Sequence, residues 1–276
     1  MRIYSGKNME IDHLTISKAL GSGISVSAMG NRTRPELLAM IMDSVRIRDF
    51  ESGGFSTKGK PIVDSGKMRT IKPYDATKCK GEFEFGLGGV GYQGYPHIKG
   101  RVYQVYFYGT GMTFIEMKQV LQYKKVVVPK KTRFMHFEIN QPIIKGKPST
   151  LVARITNFKP PTDVHLHDCL FVENRSLGLA LGGGQKWLLE DNVFEKNGPD
   201  IVGWGIDIED GWELMQHAVF RNNIFRGNLK GDLVICSGSE MLFEGNQFEG
   251  NVVIHGRPHN YIFRYNTFKG GRVQQL

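Results

Sequence analysis

The chain has 276 residues, of which 40% are hydrophobic and 23% charged, a balance that excludes a disordered tail and an integral membrane protein. Its formal net charge of +9 suggests nucleic acid, but the distribution argues otherwise. Residues 60–150 hold 16 Lys/Arg against 6 Asp/Glu, whereas the rest holds 20 against 21, so the basicity belongs to one segment.

Glycine numbers 34, about 12% against a usual ~7%, while proline is only 11 and no triplet period exists, so collagen is excluded. Many glycines between short apolar runs point to all-β structure with frequent tight turns. The three cysteines, Cys79, Cys169 and Cys236, are widely spaced and odd in number. They read as small buried hydrophobes of a protein made in a reducing compartment. Met1 is followed by Arg-Ile-Tyr-Ser and no apolar core, so no signal peptide is expected, and no run approaches membrane-span length.

The first sixty residues carry short strands. Met9 to Ile16 alternates, Gly21 to Val26 reads as a strand after a turn, and Met40 to Ile47 with Gly53-Gly-Phe55 reads as a second coil. Asp12 and Asp43 are expected where later coils carry Asn. Residues 60–150 break this register. Longer alternating strands are expected at Glu82–Phe85, Arg101–Tyr108, Lys124–Val128 and Thr132–Ile139, with turns at Gly109-Thr-Gly111 and Pro129-Lys-Lys131. The segment reads as a small antiparallel β-sandwich, with a basic rim at Lys124, Lys125, Lys130, Lys131 and Arg133.

From about residue 163 the chain repeats itself. His167-Asp-Cys-Leu-Phe171 is followed by Glu190-Asp-Asn-Val-Phe194, Arg221-Asn-Asn-Ile-Phe225, Glu244-Gly-Asn-Gln-Phe248 and Arg264-Tyr-Asn-Thr-Phe268. The phenylalanines are 23, 31, 23 and 20 residues apart, and Asn/Gly turns and short apolar strands follow them. No coil of about twenty residues can bury its apolar side alone, so coils stack around one core. In four of the five, Asn two positions before the Phe points inward and can bond its neighbours above and below. Asn192, Asn223, Asn246 and Asn266 are thereby expected to be scaffold.

These coils resemble right-handed parallel β-helices of the pectate-lyase-like superfamily. The insert, with Val105-Tyr-Phe-Tyr-Gly-Thr-Gly-Met-Thr-Phe-Ile115, Val126-Val-Val-Pro129 and Phe134-Met-His-Phe137, resembles sandwich modules in tail proteins of phages of Gram-positive bacteria. The resemblance implies an all-β chain in three parts: N-terminal coils at 1–59, an inserted β-sandwich at 60–150 and C-terminal coils at 151–276. The repeat runs to Leu276 without a cap, so a longer protein or a covering subunit is expected.

Chemistry is expected on Gly203-Trp-Gly-Ile-Asp-Ile-Glu-Asp-Gly-Trp212. With Ile206 and Ile208 in the core, Asp207 and Glu209 are expected to face solvent as candidate catalytic acids. Trp204, Trp212, Asp210, His255 and Arg257 are the candidate sugar-binding residues, since tryptophan stacks on sugar faces. The aligned columns Ala180, Asp207, Val234, Val253 and Gly182, Glu209, Cys236, His255 hold no further acid to strengthen catalysis. His165 and His167 share one strand face, but no acid is clearly placed to complete a site, so no metal centre is expected. Gly182-Gly-Gly184 is read as a coil turn.

The resemblance implies a tail-spike-like virion protein, made in the host cytoplasm, that binds a bacterial surface polysaccharide, assembles as a homotrimer and touches neither nucleic acid nor membrane. The rival is a polysaccharide lyase or glycoside hydrolase. Binding requires no cofactor, and Ca²⁺ would enter only with a lyase.

Overall fold

The computed structural model describes residues 1–26, 41–46, 49–79, 81–87, 102–121, 124–143, 152–156, 160–199, 202–209, 215–255 and 258–276. The chain divides into two compact units, one of Met1–Asn31 with Phe158–Leu276 and one of Arg32–Asn157.

The first unit is a solenoid of three parallel sheets, visited in turn by every coil. Sheet A is ordered Arg2–Ile3, Ile24–Val26, Leu177–Leu181, Trp204–Ile208, Gly231–Ile235, Val252–Ile254 and Val273–Gln275. Sheet B runs from Lys7–Asp12 through Thr162–His167 and Gly184–Glu190 to Ser239–Glu244 and His259–Arg264. Sheet C runs from Thr15–Ser17 through Leu170–Val172, Val193–Glu195, Ile224–Arg226 and Gln247–Phe248 to Thr267–Phe268.

Inward-facing apolar residues of all three sheets form one core, including Leu166, Leu189, Phe194, Ile206, Phe225 and Ile235. The repeated phenylalanines stack along it. Phe171, Phe194, Phe225, Phe248 and Phe268 follow one another at ring-centroid separations of 4.7, 4.9, 4.9 and 5.3 Å. A second stack of Phe220, Phe243 and Phe263, at 4.6 and 4.4 Å, lines sheet B.

The asparagine ladder forms as the spacing predicts. Nδ2 of Asn192 donates to Oδ1 of Asn223 at 3.0 Å, Asn223 to Asn246 at 3.0 Å, and Asn246 to Asn266 at 2.9 Å. Leu14, not Asp12, occupies the corresponding place in the first coil: Asp12 pairs with His167, two residues earlier in the register. A second ladder, unforeseen in the sequence, runs down the corner between sheets C and A. Asn174 donates to Asn197, and Asn197 to Asn228, each at 3.0 Å. It ends at Asp232, whose buried carboxylate accepts from Asn228 Nδ2 at 3.0 Å and from the Gly250 amide at 2.6 Å. Burial raises the Asp232 carboxyl above its usual range, opposed by these donors.

Among the described residues the second unit has two larger antiparallel sheets and a small one that pairs Gly54–Phe55 with Pro61–Ile62. One is ordered Phe114–Leu121, Val102–Tyr108, Phe134–Ile139, Met68–Thr70, Phe50–Ser52, with Tyr74–Asp75 also on Phe134–Ile139. The other is ordered Lys125–Val127, Glu82–Leu87, Val152–Thr156, Ile41–Arg46. Phe83 and Phe85 of the second sheet and Tyr103, Phe107 and Phe137 of the first share one core, with Phe85 stacked on Phe137 at 4.3 Å.

The boundary expected at residue 60 therefore lies elsewhere. Ile41–Arg46 and Phe50–Ser52 are not coil strands: the former pairs antiparallel with Val152–Thr156, the latter with Met68–Thr70. Asp43 accordingly pairs with Ile155 and belongs to no asparagine column. Deleting residues 32–157 and bridging the gap with a short Gly/Ser linker is expected to leave a folded solenoid by circular dichroism and a cooperative melt. Deleting 60–150 leaves Phe50–Ser52 without Met68–Thr70 and Val152–Thr156 without Glu82–Leu87, and is expected to aggregate. A 32–157 deletion that fails to fold would show that the coils depend on the insert.

His136 is buried in the insert, with Nδ1 2.9 Å from the Thr70 hydroxyl and 3.1 Å from its carbonyl. Burial lowers its pKa to about 4. Between pH 6.5 and 4 the unfolded chain takes up a proton that the folded chain refuses, so stability falls as pH drops through that window. His136→Gln is expected to remove on the order of 2 kcal/mol of this acid loss, read as urea midpoints at pH 7 and 4.5. Equal acid loss in both proteins would refute the assignment.

Candidate functional site

The outer face of sheet A carries the predicted tryptophan. The aligned columns form as expected: Ala180, Asp207, Val234 and Val253 are successive partners. The next column follows from backbone bonds of Glu209 to Leu181, Cys236 to Ile208 and His255 to Ile235. Cys236 thus separates Glu209 from His255.

Trp204 projects outward and packs on Val234, Cys236 and Val253 as a small apolar cluster. The ring has room because Gly231 follows it on the next coil; a Cβ there would collide with the indole. Trp204 stays half-buried, with part of its surface open to solvent.

Asp207 departs from expectation. It lies on the outer side of the sheet but is only 1% exposed, beside this cluster, with Cys236 Sγ donating toward its Oδ1 at 3.8 Å. Period-two alternation assigns a side chain to a face, but not whether neighbours cover that face. Glu209 is partly exposed, its carbonyl accepting from the Ser237 hydroxyl at 2.7 Å. His255 is partly exposed on the same side. Asp210, Trp212 and Arg257 lie outside the described residues.

The corner immediately before Trp204, between sheets C and A, holds a groove of about 370 Å³ lined by Glu173, Lys196, Asn197, Pro199, Gly227 and Leu229. Leu229 is left 63% exposed there. The sequence marks this corner only by its turns, Asn197-Gly198 and Gly227-Asn228.

Sheet B presents different chemistry. Its outward column reads Asp12, His167, Glu190, Arg221, Glu244, Arg264, a strict alternation of acid and base. Arg221 lies 3.6 Å from Glu190 and 3.3 Å from Glu244, and Arg264 lies 2.7 Å from Glu244. These are exposed pairs, each worth ~1 kcal/mol or less.

At the head of this column the expected lone histidine pair has company. Glu10 pairs with His165 across the first two coils. One donor atom from each of Glu10, His165 and His167 falls within 4.8 Å of the others, the one such triad among the described residues. The stacked imidazoles lie 4.1 Å apart. His167 Nδ1 is 2.7 Å from Asp168 and its Nε2 is 3.3 Å from Glu10, while His165 Nε2 is 2.8 Å from Glu190. The hydrogen bond to Asp168 raises the His167 pKa and lowers that of Asp168. Laying Met9-Glu10-Ile11-Asp12 under Val164-His165-Leu166-His167 finds Glu10 in the sequence itself.

Among the described residues, no helix is long and apolar enough to cross a membrane. No curated protein matches the chain. Among solved structures, the Gp54 tailspike of Acinetobacter baumannii bacteriophage AP22, in complex with A. baumannii capsular saccharide, is similar at 9% identity and a TM-score of 0.27. The match covers 98% of this chain and 52% of that one, so the chain spans about half its length. Residues 154–271 match the family described as right handed beta helix region. The stacked coils of sheets A, B and C are therefore those of a right-handed parallel β-helix.

Proposed function

We propose that the chain binds a bacterial surface polysaccharide along the C–A corner and outer sheet A of its β-helix, as a tail-spike-like component of a phage or prophage tail. The observation that carries this reading is Trp204, a half-exposed indole seated against Gly231 of the next coil, on the strand that follows the corner groove in the chain. An aromatic platform on the outer sheet that also carries Glu209 and His255 further along suits a sugar chain, whose apolar ring faces stack while its hydroxyls find polar partners. The burial of Asp207 supports binding over hydrolysis or elimination, because a general acid must reach the substrate. Homotrimeric assembly belongs to the same reading and is checked by light scattering.

The test measures binding and product release together on a panel of capsular and cell-wall polysaccharides. The wild type is expected to bind one of them, Trp204→Ala to lose about tenfold or more in affinity, and neither to release product. Undiminished affinity in Trp204→Ala would remove Trp204 from the site. Release of reducing ends or unsaturated sugars by the wild type would establish the enzymatic alternative.

A further inference from the structure

We propose that Glu10, His165 and His167 form a binding site for a transition-metal dication of the zinc class, tying the first coil of the β-helix to the second. The donor set is two imidazoles and one carboxylate, the three-protein-ligand composition that zinc accepts while keeping a fourth position open. The strand supplies the geometry: His165 and His167 are two apart on Thr162–His167 and share its outer face, while Val164 and Leu166 enter the core. Glu10 is directly across the ladder on Lys7–Asp12.

The Glu10–His167 spacing suits a shared metal ion. His167 Nε2 stands 3.3 Å from Glu10 Oε1. A charge-assisted N–H···O bond is shorter, about 2.7–2.9 Å. Two atoms bound to one tetrahedral ion at 2.0–2.1 Å lie about 3.3–3.4 Å apart. The other ring nitrogens are held in the way metal-binding histidines are held. Asp168 takes Nδ1 of His167 and Glu190 takes Nε2 of His165, which fixes tautomer and ring orientation. Glu10, Asp12, Asp168 and Glu190 together make the pocket acidic, and among the described residues only the Glu190 carboxylate pairs with an arginine, Arg221 at 3.6 Å. Glu10 is exposed, so an ion has a way in from solvent.

The experiment uses the full chain stripped with a chelator. Zn²⁺ is titrated calorimetrically, and Co²⁺ serves as a visible probe whose absorption reports tetrahedral coordination. One ion per chain is expected, with a rise in Tm on adding Zn²⁺. His167→Gln and Glu10→Gln are expected to weaken binding about tenfold or more and to abolish the Tm rise. Asp168→Asn, acting through His167, is expected to cost about 10- to 100-fold. All are surface changes, and circular dichroism confirms that each variant is folded. Three results would overturn the proposal: no saturable binding of Zn²⁺ or Co²⁺, undiminished binding in the His165→Gln/His167→Gln double variant, or a preference for Ca²⁺ over Zn²⁺. Glycan binding is not a readout here, so this outcome is independent of the proposed function.

Discussion

Asn223→Ala is expected to destabilise the β-helix by about 3 to 5 kcal/mol, because a fully buried amide leaves several partners unsatisfied at once. Asn223 Oδ1 accepts from both the backbone N and Nδ2 of Asn192, at 3.1 and 3.0 Å. Its Nδ2 donates to the Leu189 carbonyl at 2.9 Å and to Asn246 at 3.0 Å. Alanine removes all four bonds and opens no path for water, since Asn192, Asn223 and Asn246 are all 0% exposed. Asn266→Ala is the control: its side chain is partly exposed at the last rung, so less than half the loss is expected. Urea unfolding of the three proteins decides it. Equal midpoints for wild type and Asn223→Ala would mean that the ladder carries no net stability.

The second large effect belongs to the insert. Lys67→Met is expected to cost about 3 kcal/mol, because it leaves the Glu138 carboxylate buried without a cation. Glu138 is 0% exposed and accepts from Lys67 Nζ at 2.9 Å, the Phe55 amide at 2.6 Å and the Tyr106 hydroxyl at 3.4 Å. Lys67 itself is about one-third exposed, which places the loss at the lower end of the range for breaking a buried pair. Adding Glu138→Gln is expected to recover at least half of it, since the neutral amide needs no counter-charge. A double variant no better than Lys67→Met would show that the carboxylate is not the seat of the penalty.

Legibility followed sequence distance. Asn-x-Phe recurs locally, so the ladder through Asn223 and the stack through Phe225 are readable: residue type and a period of about twenty residues fix both. The second ladder uses Asn174, Asn197 and Asn228, which look like ordinary turn residues because nothing beside them marks an inward side chain. Ile41–Arg46 alternates as any strand does, and only its pairing with Val152–Thr156, over a hundred residues away, assigns it to the insert. Alternation assigns Asp207 to the outer side of its strand, but its burial, with Cys236 of the next coil against its carboxylate, is a tertiary fact that alternation does not encode. Glu10 was missed for a related reason, since it meets His165 only after the intervening insert is looped out.

That loop has a kinetic consequence. Strands Ile24–Val26 and Thr162–His167 flank the insert, and Lys7–Asp12 must pair with Thr162–His167 in register. The C-terminal coils join neighbours about twenty to thirty residues away and can zip together from local contacts. The first coil must instead wait for closure of a span several times longer, whose entropic cost grows with the logarithm of its length. Pairing of Ile41–Arg46 with Val152–Thr156 shortens that span, because it joins the insert's two ends. The insert thus acts as a folding clasp, and residues 1–26 are expected to be the last segment protected in pulse-labelled hydrogen exchange, after the coils from Thr162 onward and after the insert itself.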